Sequence, residues 1–120
     1  MNKTSFKTED VFLQKLYDEA ENRILGNIRD FGGRKVLVEG AGYEKIWLET
    51  QPMGGEMFFK RDNSGAAFNN ILFFMEMQRS DGRLPGSITL KDGVPVPEFN
   101  KMQGFFFAEP ALNMYYLLGE

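Results

Sequence analysis

The chain has 120 residues, with fourteen basic and seventeen acidic side chains and a net charge of −3. It contains neither cysteine nor histidine, which excludes disulfides, thiolate or imidazole metal sites and the Ser-His and Cys-His nucleophile pairs. The acidic balance argues against a nucleic-acid partner or an anionic membrane surface, since either would need a basic face.

The length predicts one domain. The first residues, "MNKTSFKTEDVF", carry no apolar signal-peptide core, and no apolar run approaches the ~20 residues of a membrane span. A cytoplasmic, soluble protein without metal or cofactor is the expectation. Aromatic content is high: twelve Phe, four Tyr and one Trp, with seven Met besides. Such side chains need large opposing surfaces, which a small domain has difficulty supplying.

Residues 9 to 30 predict a helix. Thr8 is a candidate N-cap, Glu9 and Asp10 suit the first turn, and Leu13, Tyr17, Ala20, Ile24 and Ile28 repeat at helical spacing beside Leu16. Gly32-Gly33 reads as its stop. "KVLVEG" (35–40) and "EKIWLET" (44–50) alternate as short strands around a Gly-Ala-Gly turn, either a hairpin or extended segments laid across helices. A second helix is predicted over 64–79, "SGAAFNNILFFMEMQR". Phe68, Ile71, Leu72, Phe74, Met75 and Met77 give it an apolar arc wide enough to be covered on most sides. Asn70 falls inside that arc and needs hydrogen-bond partners, from the protein or from a polar ligand. "RSDGRLPGSI" (79–88) is turn chemistry, and "KDGVPVPEFN" (91–100) reads as a loop because of its two prolines. A last helix begins near Pro110 and carries Ala111, Met114, Tyr115 and Leu118. The elements together predict a mainly α fold with a short β element near residues 35–50.

With no His or Cys, carboxylate acid/base chemistry is the catalysis best suited to these residues. In glycoside hydrolysis one acid protonates the leaving oxygen, while a second carboxylate activates water or attacks the sugar. "WLETQPMGGEMFFKRD" supplies the residue types of a sugar cleft: acids, an aromatic ring and hydroxyl-binding Gln and Arg. Glu49 and Glu56 flank its Pro-Met-Gly-Gly turn and are candidate hydroxyl ligands or catalytic carboxylates. Trp47 is a candidate stacking platform. Against each stands a plain structural role: a turn cap or salt bridge for the acids, a core position for Trp47.

The "SDGRLPGS" turn after an Asn-containing apolar helix, the Gly-rich "QPMGGEM" and the later "MQGFFFAEPALNMYYLL" resemble the six-hairpin (α/α)6 toroid glycosidases, of the trehalase and processing α-glucosidase kind. The resemblance spans residues 43 to 118. It implies an N-terminal part of a larger toroid of about twelve helices, acting on an oligosaccharide substrate, with the catalytic acid and base further along the chain. It implies sugar-binding roles for Trp47, Glu49, Gln51, Glu56, Arg61, Asn70, Arg83 and Gln103, and leaves the catalytic residues of this segment unassigned. The alternative is a non-catalytic helical module that self-associates through its aromatic face, with Phe106 and Tyr115 at the contact. A glycan-binding remnant without hydrolytic activity is a third reading.

Overall fold

A computed structural model of the chain describes residues 5–40, 42–51 and 64–119. Helix α1 (Val11–Leu25) leads into a hairpin of β1 (Ile28–Phe31) and β2 (Arg34–Leu37). Strand β3 (Lys45–Trp47) runs into a single 3-10 turn, Leu48–Thr50. Helix α2 (Ser64–Glu76) follows, then a second hairpin of β4 (Ser87–Lys91) and β5 (Val94–Glu98). Another 3-10 turn, Gly104–Phe106, precedes helix α3 (Ala108–Leu118). The described residues thus form three helices and two antiparallel sheets, one of order β1-β2 and one of order β3-β4-β5. This mixed α/β architecture overturns the mainly α expectation and, with it, the toroid.

Each strand that the sequence hid has a local cause. Helix α1 is shorter than the predicted 9–30 at both ends. Its N-cap is Asp10, not Thr8: Asp10 Oδ1 accepts from the amides of Phe12 (2.9 Å) and Leu13 (3.0 Å). The helix stops at Leu25, and Ile28 leaves the helical stripe to pair with Leu37 across the first hairpin. Gly32 and Gly33 therefore do not stop a helix. Their φ values of 62° and 90° form the left-handed pair of a tight hairpin turn, which a side chain with a Cβ adopts only under strain.

The second hairpin contradicts the loop expected at 91–100. Asp92 and Gly93 sit at φ 51° and 78°, the same turn geometry, and Lys91 faces Val94. Counting outward from that pair, Val96 and Glu98 exchange ladder hydrogen bonds with β4, whereas Pro95 and Pro97 occupy the alternate positions. Their missing N–H groups point away from β4, on the edge of the sheet. The prolines remove no ladder bond, so a strand forms where two prolines predicted none.

Of the two readings of residues 35–40 and 44–50, the hairpin does not form as a strand ladder. Strand β2 pairs with β1, and β3 pairs with β4 in a register that sets Ile46 opposite Ile88. The two extended segments bond at their near ends, through Glu39 N to Lys45 O (3.4 Å) and a Gly40–Tyr43 bridge.

Helix α2 ties the two sheets together. Its Phe73 and Phe74 are buried with Phe31, Val36 and Val38 of the first hairpin region, with Ile46 and Ile88 of the second sheet, and with Leu48 of the 3-10 turn after β3. Removing the Phe74 ring by alanine would cost about 3–5 kcal/mol, the usual loss for a fully buried phenylalanine. A smaller cluster of Ala67, Ile71 and Met114 joins α2 to α3, with Ile24, Ile28 and Leu118 partly buried against it. Helix α1 has no buried residue. Only its Gln14, Tyr17, Glu21 and Ile24 are half-buried, while Leu13, Leu16 and Ala20 of the expected core stripe are exposed.

Candidate functional site

Six of the eight sequence-predicted ligand residues fall within the described residues; Glu56 and Arg61 lie outside them. Those six separate into two groups. Gln51 and Asn70 join the polar chain at the centre of the molecule, and Glu49, Arg83 and Gln103 gather near the second sheet, with Trp47 between the two.

Strand β2 has β1 on one side only. Lys35 and Leu37 lie at register positions whose peptide groups face away from β1, so they need other partners. Helix α2 supplies them. Asn70 Oδ1 accepts from Leu37 N at 3.0 Å, and Asn70 Nδ2 donates to Leu37 O at 2.9 Å. Asn69 Nδ2 donates to Lys35 O at 2.8 Å. The Asn-Asn pair therefore acts as a short side-chain strand along the edge of β2. Asn70 Nδ2 also reaches Gln51 Oε1 at 3.3 Å, and Gln51 Nε2 donates to Trp47 O at 2.6 Å. Both side chains are buried. Their hydrogen bonds join β2, α2 and the end of β3, which for Asn70 matches the alternative of protein partners.

Around Trp47 the chain places two cations. The Lys101 ammonium lies 4.6 Å from the Trp47 ring centroid and that of Lys45 lies 5.4 Å away, both within cation–π range. Lys45 Nζ also pairs with Glu98 Oε2 at 2.6 Å, and Ser87 Oγ donates to the same oxygen at 2.8 Å. These bonds, the Lys45 one first and the Ser87 one after it, hold the Glu98 carboxyl below the usual carboxylate range against the opposing effect of desolvation. Sequence reasoning named Trp47 as a sugar platform and missed Lys45, Ser87, Glu98 and Lys101. The signal for Lys45 was present: in an alternating strand, residues 45 and 47 share a face. Glu98 and Ser87 become neighbours only through the β4-β5 hairpin, which the prolines concealed.

The second group lines or borders a groove of about 480 Å³ formed by Asp81, Gly82, Arg83, Leu84, Met102, Gln103 and Gly104. Gln103 Nε2 donates to Glu49 Oε2 at 2.7 Å, so Glu49 holds the groove wall. Arg83 donates from a terminal guanidinium nitrogen to Phe99 O at 2.6 Å. Two atoms of these residues, Arg83 Nε and Gln103 Oε1, are buried without a hydrogen-bond partner. Asp81 accepts from Arg83 N at 3.1 Å and pairs with Arg79; the Arg83 amide and then Arg79 lower its pKa. Gly86 packs beneath: a Cβ there would stand 3.2 Å from Lys101 Cβ and 3.3 Å from Gln103 Oε1.

Among the described residues there is no group of three or more acidic side chains able to hold a metal ion, and no helix long and apolar enough to cross a membrane. Neither family models, nor characterised proteins, nor solved structures yield a match to this chain.

Proposed function

We propose that the chain is a non-catalytic interaction module that self-associates through apolar helical faces. Helix α1 carries the reading. None of its fifteen residues is buried, although it holds Val11, Phe12, Leu13 and Leu16, and Phe12 is 73% exposed. A helix of this kind is normally turned with its apolar side to the core. This one is turned the other way, its half-buried stripe being Gln14, Tyr17, Glu21 and Ile24. Helix α3 adds Leu112, Tyr115 and Tyr116 to the exposed apolar surface, with Phe105 just before it. Apolar side chains grouped on helix faces in this way are characteristic of association surfaces.

Sedimentation velocity over a concentration series tests the reading. The expected result is a reversible increase in mass with concentration. Replacing Phe12 and Leu16 by serine, or Leu112 and Tyr116 by serine, should reduce association while changing stability by no more than about 0.5 kcal/mol per exposed site. A monomer at every concentration would refute self-association.

A second reading keeps a carbohydrate ligand, now without the toroid that first suggested it. Its support is the groove of about 480 Å³ lined by Asp81, Arg83 and Gln103, whose charged and amide groups are of the kinds that bond sugar hydroxyls. Titration with maltose, followed at the backbone amide resonances of Asp81, Arg83 and Gln103, should shift them if this reading holds. Unchanged resonances would dismiss it.

A further inference from the structure

We infer that α1 is a separate folding unit that opens while the rest of the molecule stays folded, and that its helical population sets the strength of association. The second half rests on the self-association reading; the first does not. The interactions along the first two turns of α1 are local. Asp10 caps the helix, and Gln14 Nε2 donates to Asp18 Oδ1 at 2.9 Å. The inner side is covered by the residues just before the helix. The Phe6 ring lies 5.2 Å from that of Tyr17, and Thr8 N donates to Gln14 Oε1 at 3.1 Å. That cover is imperfect, since the Tyr17 hydroxyl is buried without a hydrogen-bond partner. Further on, Arg23 pairs with Glu19 at 2.8 Å, again within the helix. The link to the core comes at the far end, where Ile24 is partly buried against Ala67, Ile71 and Met114.

The other two helices are held by distant parts of the chain. In α2, Phe73 and Phe74 are buried, and Asn69 and Asn70 bond the edge of β2. In α3, Pro110 and Met114 are buried. Helix α1 buries none of its fifteen residues. A helix of that length is marginal in water on its own, because few propagated bonds offset the unfavourable nucleus. Its composition does not compensate. It has a single alanine, while Val11, Phe12, Tyr17, Asp18, Asn22 and Ile24 are weaker helix formers. Elements with so little buried apolar area open locally, well below the free energy of global unfolding. A partner that engages the apolar side of α1 binds the helix and not the opened segment. Its apparent affinity therefore scales with the fraction of chains in which α1 is helical. Residues away from that side then tune association through the helix alone.

Hydrogen exchange on the full chain, at a dilution where sedimentation shows monomer, tests the separate unit. The α1 amides from Gln14 to Leu25 should exchange more than about 100-fold faster than those of Leu37 and Phe74. Asp10→Ala removes the cap and should speed α1 exchange by about 2- to 5-fold. Asn22 is exposed and lies about 120° around the helix from Leu16. Asn22→Ala should slow α1 exchange by about 2- to 3-fold. Neither substitution should move the urea midpoint read at Trp47, which reports the body of the molecule. Self-association should follow the helix in the same two variants, weaker for Asp10→Ala and tighter for Asn22→Ala. Exchange in α1 as slow as at Phe74, or a urea midpoint lowered by Asp10→Ala, would overturn the separate unit and leave self-association standing. Association unchanged in both variants would overturn the coupling. A chain that stays monomeric at every concentration would remove self-association and the coupling together, while the exchange rates still decide the α1 unit.

Discussion

The side-chain amide of Asn70 closes both hydrogen bonds of the Leu37 peptide, donating to its carbonyl and accepting from its N–H. A helix side chain thereby completes the edge of a strand, and only an amide can do this, because the position needs a donor and an acceptor a peptide's width apart. Asn70→Leu should leave both peptide groups unpaired. At about 1–3 kcal/mol for each unsatisfied group, the expected loss is about 3 kcal/mol, or about 10 °C in Tm. Asn69→Ala, which removes one bond to Lys35 O, should cost only about 1 kcal/mol. Thermal unfolding of the two variants measures the difference, and hydrogen exchange at the Leu37 amide should accelerate in the first alone.

Glu98 confers an acid-sensitive contribution to stability. Its pKa in the folded chain is depressed, chiefly by the Lys45 hydrogen bond. The associated stability is therefore present above the unfolded-state value of about 4.3 and is lost as pH falls through the lower native value. Glu98→Gln should flatten the stability profile below about pH 4.3 and alter Trp47 fluorescence, since Lys45 loses its partner while remaining beside the ring. Chemical denaturation between neutral and acidic pH, read at the single tryptophan, checks both expectations.

How far these interactions could be read in the sequence depends on where their partners lie. The α2 helix was legible because Phe68, Ile71, Phe74 and their neighbours repeat every three to four residues, a pattern set within the segment itself. The need of Asn70 for partners was legible too, but not that the partner was a strand edge 33 residues away. Strand β1 was hidden because Ile28 continues the spacing of Leu13, Tyr17 and Ile24. Local periodicity favoured more helix, and pairing with β2 prevailed. Strand β5 was hidden by a rule about proline that holds for central strands and fails at an edge, although Asp92-Gly93 carried a hairpin signal. Of the site, the likeness to a sugar cleft drew attention to Glu49, Arg83 and Gln103, which do gather at one groove. It could not reveal that Trp47 is already flanked by lysines, because Lys101 reaches it only through the fold.

Arg34 links the first hairpin to the end of α2 by a two-bond fork to Glu76, at 2.9 and 2.6 Å, with its guanidinium 3.8 Å from the Phe73 ring centroid. The fork lowers the Glu76 pKa. Half-exposed as the pair is, Glu76→Gln should cost no more than about 1 kcal/mol, and less at high salt. Arg34→Lys should cost more than Glu76→Gln, because a lysine loses the planar stacking on Phe73 as well as the second bond. A double-mutant cycle in urea separates the two terms.

Gly86→Ala tests the floor of the groove. The added methyl group would press on Lys101 and on Gln103 Oε1 in a buried position. Relief needs Lys101 or Gln103 to give by a few tenths of an ångström, which loosens the Gln103–Glu49 bond and the approach of Lys101 to Trp47. The expected cost is about 1–3 kcal/mol, with a shift in Trp47 emission as the local readout. Unchanged stability and emission would mean that the segment accommodates the methyl group without moving.

The prolines of β5 determine what kind of assembly the molecule permits. The outer margin of that strand presents carbonyls but, at Pro95 and Pro97, no hydrogen to offer an incoming chain. Growth of this sheet by addition of another strand, the route to fibrils, is thereby blocked at that side. An incoming chain finds at this margin no N–H at Pro95 or Pro97 with which to extend the ladder, so the self-association proposed above is expected to use the helix faces and not this strand edge.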